Sequence, residues 1–131
     1  MIDSNLYTVL AADSGVSAIV SDRIYPRNAM PSAPTYELVT FDAEAHEYTN
    51  TFTGNSGFVR SDYIVDAWGE TIDEASVLST AIRSALKNVT GSFGGISVSQ
   101  VFITSGPITV YEESVEAYRM SQIFSIWHNQ G

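Results

Sequence analysis

Apolar and polar positions along the chain fall into three regimes. Between Ile2 and Ala12, Leu6, Val9 and Leu10 recur at helical spacing, and Asp3 or Ser4 is available as an N-cap. Asp13-Ser14-Gly15 interrupts the run. Val16, Ile19 and Val20 then repeat the i, i+3, i+4 pattern, with Ser14 available as a cap, so two short helices are expected at the start. The next regime holds three of the four prolines, Pro26, Pro31 and Pro34. Proline has no N–H and keeps the preceding residue out of the helical region, so an extended path is expected from Tyr25 to Thr35.

Alternation takes over after that. Thr35 to Phe41 reads as a strand with Tyr36, Leu38 and Thr40 toward the core. Asp42 to Gly57 carries three acids and ends in Gly, Asn and Ser, which reads as a long loop or as a hairpin with a flexible tip. Val59 to Trp68 is the clearest strand. It sets Val59, Tyr63, Val65 and Ala67 against Arg60, Asp62 and Asp66, while Ile64 and Trp68 blur the polar side. Thr71-Ile72-Asp73-Glu74 is a capping-box signature. The helix it opens, to about Lys87, has a stripe of Ile72, Ala75, Leu78, Ile82, Ala85 and Leu86. Val89 to Gly95 reads as a loop. Ile96 to Thr104, Ile108 to Glu112 and Tyr118 to His128 read as three more strands.

Helices first, then two strands, one long helix and three strands joined by short polar links favour an α+β domain of two layers. The expected sheet is mainly antiparallel, with about five strands. The long helix (71–87) and the short N-terminal helices pack against it. A length of 131 residues fits a single domain spanning 1–131.

Charge narrows the function. Fifteen acids face six bases, a net charge of −9, and Lys87 is the only lysine. Tight nucleic-acid binding needs a basic footprint, which this chain lacks. There is no cysteine, hence no disulfide framework and no cysteine zinc site. The N-terminus has no basic region before an apolar run, and no window approaches the ~20 apolar residues of a membrane span. The expectation is a soluble protein made in the cytoplasm, with no membrane contact.

Catalytic motifs are thin. Asp73 and Glu74 are neighbours on a helix and suit its positive end better than paired acid–base work. His46 and His128 sit in no metal-binding spacing. No serine lies in a GxSxG elbow, and Gly91-Ser92-Phe93-Gly94-Gly95 lacks the spacing of a phosphate loop. No cofactor or catalytic residue is indicated; binding or assembly is the better reading.

The proline-containing stretch carries a resemblance. Val-Ser-Ala-Ile-Val, then Asp22-Arg23-Ile24-Tyr25-Pro26, then Ala33-Pro34-Thr35-Tyr36-Glu37-Leu38 is similar to the tail-completion, or tail-terminator, proteins of long-tailed bacteriophages. Ser61 to Trp68 resembles that family's central strand, Thr71 to Leu86 its long helix and Tyr118 to Trp127 its final strand. Arg23, Ile24, Tyr25 and Pro26 are the sharpest motif. The resemblance implies a virion protein of the tail–neck region, made in the host cytoplasm and without enzymatic activity. Such proteins form a ring, typically a homo-hexamer, that caps the tail tube and stops its growth. The implied partners are other copies of the chain, the tail tube protein and a head-completion or connector protein. DNA passes through without tight binding, and an acidic channel suits that by repelling phosphate. Glu44, Glu47, Glu112, Glu113 and Glu116 are the candidate assembly or lumen residues. The alternatives are another neck component or a minor tail protein. From a different class, a small monomeric ligand-binding domain predicts a deep pocket with convergent polar groups.

Overall fold

A computed structural model describes residues 2–29, 31, 34–51, 54–87, 91–93 and 96–129 of the protein. Side chains are described for 6–27, 29, 31, 34–43, 60–87, 101–104 and 106–128. The order is α1 (Ile2–Ala12), α2 (Ser14–Val20), β1 (Ile24–Pro26), a 3₁₀ turn (Arg27–Ala29), β2 (Leu38–Thr51), β3 (Gly54–Gly69), α3 (Ile72–Lys87), β4 (Gly91–Phe93), β5 (Ile96–Glu112) and β6 (Ala117–Asn129). The six strands form one sheet in the order β1-β2-β3-β6-β5-β4. All pairings are antiparallel except β1 with β2, which run parallel through Ile24–Val39, Tyr25–Thr40 and Pro26–Phe41. The expected α+β architecture is therefore present, with a sixth strand and one parallel pair.

The three helices cover one face of the sheet. Leu6 and Leu10 of α1, Val16 and Val20 of α2, and Leu78, Ile82 and Leu86 of α3 meet Ile24, Val39, Phe41, Tyr63, Val65, Ala67, Phe124 and Ile126 from the strands. Apolar area removed from water at roughly 25 cal/mol per Å² makes this layer the main source of stability. A polar bracket fixes α3 on it. Gln122, fully buried on β6, donates from Nε2 to the Ser79 carbonyl at 3.1 Å and to Ser79 Oγ at 2.7 Å. Its Oε1 accepts from Arg83 Nε at 3.1 Å. A buried amide without these partners would cost the helix its docking site.

Several local expectations need correction. The cap of α2 is Asp13, whose carboxylate accepts from the Val16 N–H at 3.0 Å, because Ser14 is already inside the helix. The path after Pro26 is not extended throughout: Arg27–Ala29 makes a 3₁₀ turn. On β2 the helix-facing residues are Val39 and Phe41; Leu38 and Thr40 are buried on the opposite face. Both faces are buried there, so alternation alone could not assign them. Asp42 to Thr51 continues as strand, and β2 and β3 form a hairpin reaching Thr51 and Gly54. Thr71 Oγ1 accepts from the Glu74 N–H at 3.1 Å, as the capping signature predicts. The Glu74 carboxylate reaches one residue further back, to the Glu70 N–H at 2.9 Å. Ile72 does not join the buried stripe and is 50% exposed.

Gly91–Phe93 is a strand on β5, within a stretch expected to be all loop; residues 88–90, 94 and 95 of that stretch lie outside the described residues. The two strands expected over Ile96–Thr104 and Ile108–Glu112 are one. Pairing with β6 runs through both halves, with register shifts between Ile103 and Ile108 and a cis Gly106–Pro107 bond. Gly106 has φ +94°, and a Cβ there would meet the Ser121 carbonyl oxygen. Only glycine holds that bend without strain. A bulge at this point keeps the two hairpin arms together although the local pattern reads as a turn.

Candidate assembly surface

On the face of the sheet away from the helices, a polar network replaces an apolar core. Its hub is Asp66 on β3, whose side chain is wholly buried. Asp66 Oδ2 accepts from Arg27 Nη2 at 2.6 Å and from Thr40 Oγ1 at 3.1 Å. Oδ1 accepts from Ser121 Oγ at 2.5 Å and lies 3.9 Å from Arg119 Nη1. Trp68 Nε1 donates to Thr40 Oγ1 at 2.9 Å. Arg119 stands 5.9 Å from the Trp68 ring centre and pairs with Glu112 at 2.9 Å. A buried carboxylate is stable only when its lone pairs are filled, and here three side chains from three separate segments, Arg27, Thr40 and Ser121, fill them.

A small apolar cluster adjoins the network. Leu38, Trp68 and Ala117 are buried, with Tyr25, Tyr36 and Val115 packed on them. Tyr36 stacks on Trp68 at 6.5 Å, and its hydroxyl donates to the Val115 carbonyl at 3.4 Å. Burial raises the Tyr36 hydroxyl above its ordinary pKa, with the Glu70 charge adding to the effect. Beside Arg27 and Arg119 lies an open depression of about 270 Å³ over Ile64, Ile108, Val110, Ser121 and Ile123. Of its polar lining, Arg27 and Ser121 are paired with Asp66 and Arg119 with Glu112, while the buried Nε of Arg119 has no hydrogen-bond partner among the described residues.

The Arg23–Pro26 motif joins the two sides of the sheet. Arg23 Nε donates to the Glu37 carbonyl at 2.8 Å, and Nη2 donates to the Ile19 carbonyl near the end of α2 at 3.3 Å. One planar guanidinium thus ties α2 to the start of β2, which a point-charge lysine does less well. Ile24 points into the main core and Tyr25 into the small cluster, as successive strand residues must. Pro26 is exposed and ends β1. The sequence motif corresponds to a physical junction where one residue serves each layer.

The five candidate acids do not form one cluster. Glu44 and Glu47 lie on β2, Glu44 at a bulge and Glu47 opposite Arg60; their side chains are outside the described ones. Glu112 is half-buried and held by Arg119, so it belongs to the network. Glu113 and Glu116 are exposed in the turn between β5 and β6, where Glu116 takes φ +50°. His128 is buried, its Nε2 2.7 Å from Ser61 Oγ; the His46 side chain is not among those described. Among the described residues, no three His, Asp or Glu side chains gather into a metal-binding group, and no helix is long and apolar enough to cross a membrane.

Sequence reasoning placed Asp66 on the polar side of its strand, a side that Ile64 and Trp68 marked as not wholly solvated, and set Thr40 toward the core; it did not single out Arg27, Ser121 or Arg119. One signal was present. Ile64 and Trp68 share Asp66's side of β3, and an acid between an isoleucine and a tryptophan on one strand face points to a buried, partnered carboxylate.

The described residues thus show one face packed by helices, an opposite face built on the paired charges of Arg27, Asp66, Arg119 and Glu112, and long strands near the sheet's ends. The chain belongs to the tail completion protein gp17 family, which it matches over residues 4–129. It is thus a structural protein of phage tails. A solved structure described as the virion of a native gene transfer agent (GTA) particle contains a chain of the same fold. The TM-score is 0.72 at 16% identity, over 95% of this chain and 92% of that one. No curated protein matches the sequence.

Proposed function

We propose that the protein forms a homo-hexameric ring that caps the tail tube, ends tube polymerisation and joins the tail to the head. The observation that carries this reading is the match to a tail completion family over nearly the whole chain, residues 4–129. The ring touches the tube protein on one side and a head-completion or connector protein on the other. The net charge of −9 suits a passage that DNA crosses without sticking, because an acidic wall repels phosphate. Glu113 and Glu116, exposed on the β5–β6 turn, and Glu44 and Glu47 on β2 are the acids available for that wall.

The test is the mass of the purified protein by light scattering across a wide concentration range, alone and with assembled tail tubes. A hexamer-sized species, or tubes capped at one end in electron micrographs, supports the ring. A monomer at every concentration that never attaches to tubes overturns it.

A further inference from the structure

We infer that the outer edge of β5 in one copy pairs with the outer edge of β2 in the next, head to tail, and that this contact closes the ring. The inference rests on the ring reading above and adds the surface through which it forms.

The two edges lie at opposite ends of the strand order. At one end β1 covers only Val39–Phe41 of β2, and among the described residues no strand pairs with the outer side of Asp42–Thr51. At the other end β4 covers only Ile96–Val98 of β5, and no described strand pairs with the outer side of Gln100–Glu112. Both stretches therefore offer unpaired backbone N–H and C=O groups.

The composition of β5 is unusual for an edge left in water. Its residues from Ile96 to Tyr111 include no charged side chain, in a chain of net charge −9. Phe102, Ile103, Ile108 and Tyr111 are 45, 36, 56 and 48% exposed, four of the seven large apolar side chains that stand exposed among the described residues. Edge strands that remain free carry charges or other blocks, lysine above all. Here the irregularities between Ile103 and Ile108, with Pro107 among them, break the edge in its middle, leaving Gln100–Ile103 and Ile108–Glu112 in continuous register.

Charge selects the occupant. Pairing β2 with β2 of another copy would set Asp42, Glu44 and Glu47 against their equivalents, and like charges across strands destabilise. β5 carries no charge from Ile96 to Tyr111, and Glu112 at its end is paired with Arg119, so the acidic strand can approach without that penalty. Joining two different edges gives a heterologous contact, and a repeated heterologous contact gives a ring when its rotation closes and an open filament when it does not. A β5–β5 contact would stop at a two-fold dimer.

The absence of cysteine makes the test clean. Ala43→Cys in one protein and Phe102→Cys or Thr109→Cys in another are placed at exposed positions. A disulfide forms only where Cα atoms come within about 7 Å. The expected result is a cross-linked dimer in the mixture but not from either protein alone. The double variant should give a ladder that ends at the ring mass. Thr109→Lys should raise the concentration for half-assembly at least tenfold, with circular dichroism and Tm unchanged. Dimers from a β5 cysteine alone, without mixed cross-links, overturn the inference in favour of a two-fold contact. Ring-sized particles with no mixed cross-link, or untouched by Thr109→Lys, leave the ring standing and remove this interface. A monomer with and without tubes removes both.

Discussion

The two faces of the sheet are held by different forces. On the helix side, Val39, Phe41, Tyr63, Val65, Phe124 and Ile126 meet three helices through shape and apolar area. On the other side, Asp66 is satisfied by Arg27, Thr40 and Ser121 and lies near Arg119, with only the Leu38–Trp68–Ala117 cluster beside it. The first arrangement tolerates small changes of volume. The second depends on every partner being present, because a buried polar atom that loses its mate keeps its desolvation cost. Packing therefore supplies most of the stability, while the network fixes which strands and loops lie side by side.

The largest expected effect comes from breaking the hub. Asp66→Ala takes away the acceptor of the Ser121 hydroxyl and of the buried Thr40 hydroxyl, which keeps only the Trp68 N–H, while Arg27, 40% exposed, regains water. The loss should be about 3 kcal/mol, below the upper range for a fully buried pair, and read as a fall in urea midpoint. Gly106→Ala follows, at about 2 kcal/mol. The added carbon has a positive φ to endure and the Ser121 carbonyl and Gln122 Cα, 3.0 Å away, to displace. A conservative change on the helix side, Ile82→Val, should cost only about 1 kcal/mol. An Ile82→Val loss equal to that of Asp66→Ala would dissolve the contrast between the faces.

The smallest effect has the opposite sign. Burial first, then the Glu74 charge, holds the Glu37 carboxyl above its ordinary pKa, against the lowering pull of Arg23. The folded state therefore favours the protonated form. Stability from this group is fully present below the ordinary carboxylate pKa and is lost as pH rises through the raised value. Glu37→Gln should stabilise the fold slightly at pH 7, by about a few tenths of a kcal/mol or less for a group this exposed, read as a small rise in Tm, with the gain vanishing below about pH 4. Melting curves at the two pH values check it. A gain that persists at low pH would assign the effect to packing.

How much of this was legible in the sequence depends on range. The Thr71 cap, the α3 stripe from Ala75 to Leu86, and the alternation of β3 and β6 are local patterns and are found as expected. The parallel seat of β1, the strand at Gly91–Phe93 and the single β5 depend on partners far along the chain, which periodicity does not record. Asp66 shows the same limit. Its character as a buried acid is set by Arg27, 39 residues before it, and Ser121, 55 residues after it. The prolines between β1 and β2 gain their meaning from the parallel pairing too. Two adjacent parallel strands need a long crossover, and this one brings Arg27 and Tyr36 onto the face the helices leave open.

The position of β6 has a consequence for synthesis. It is the sixth strand to emerge from the ribosome, yet it sits third from the β4 end of the sheet, between β3 and β5. Until Ala117–Asn129 has emerged, β3 and β5 have no common neighbour, and Gln122 is missing from beneath α3. Without that strand the β2–β3 hairpin and the β4–β5 pair have no pairing that joins them. The emergence of Ala117–Asn129 is thus the step that lets the two halves become one sheet.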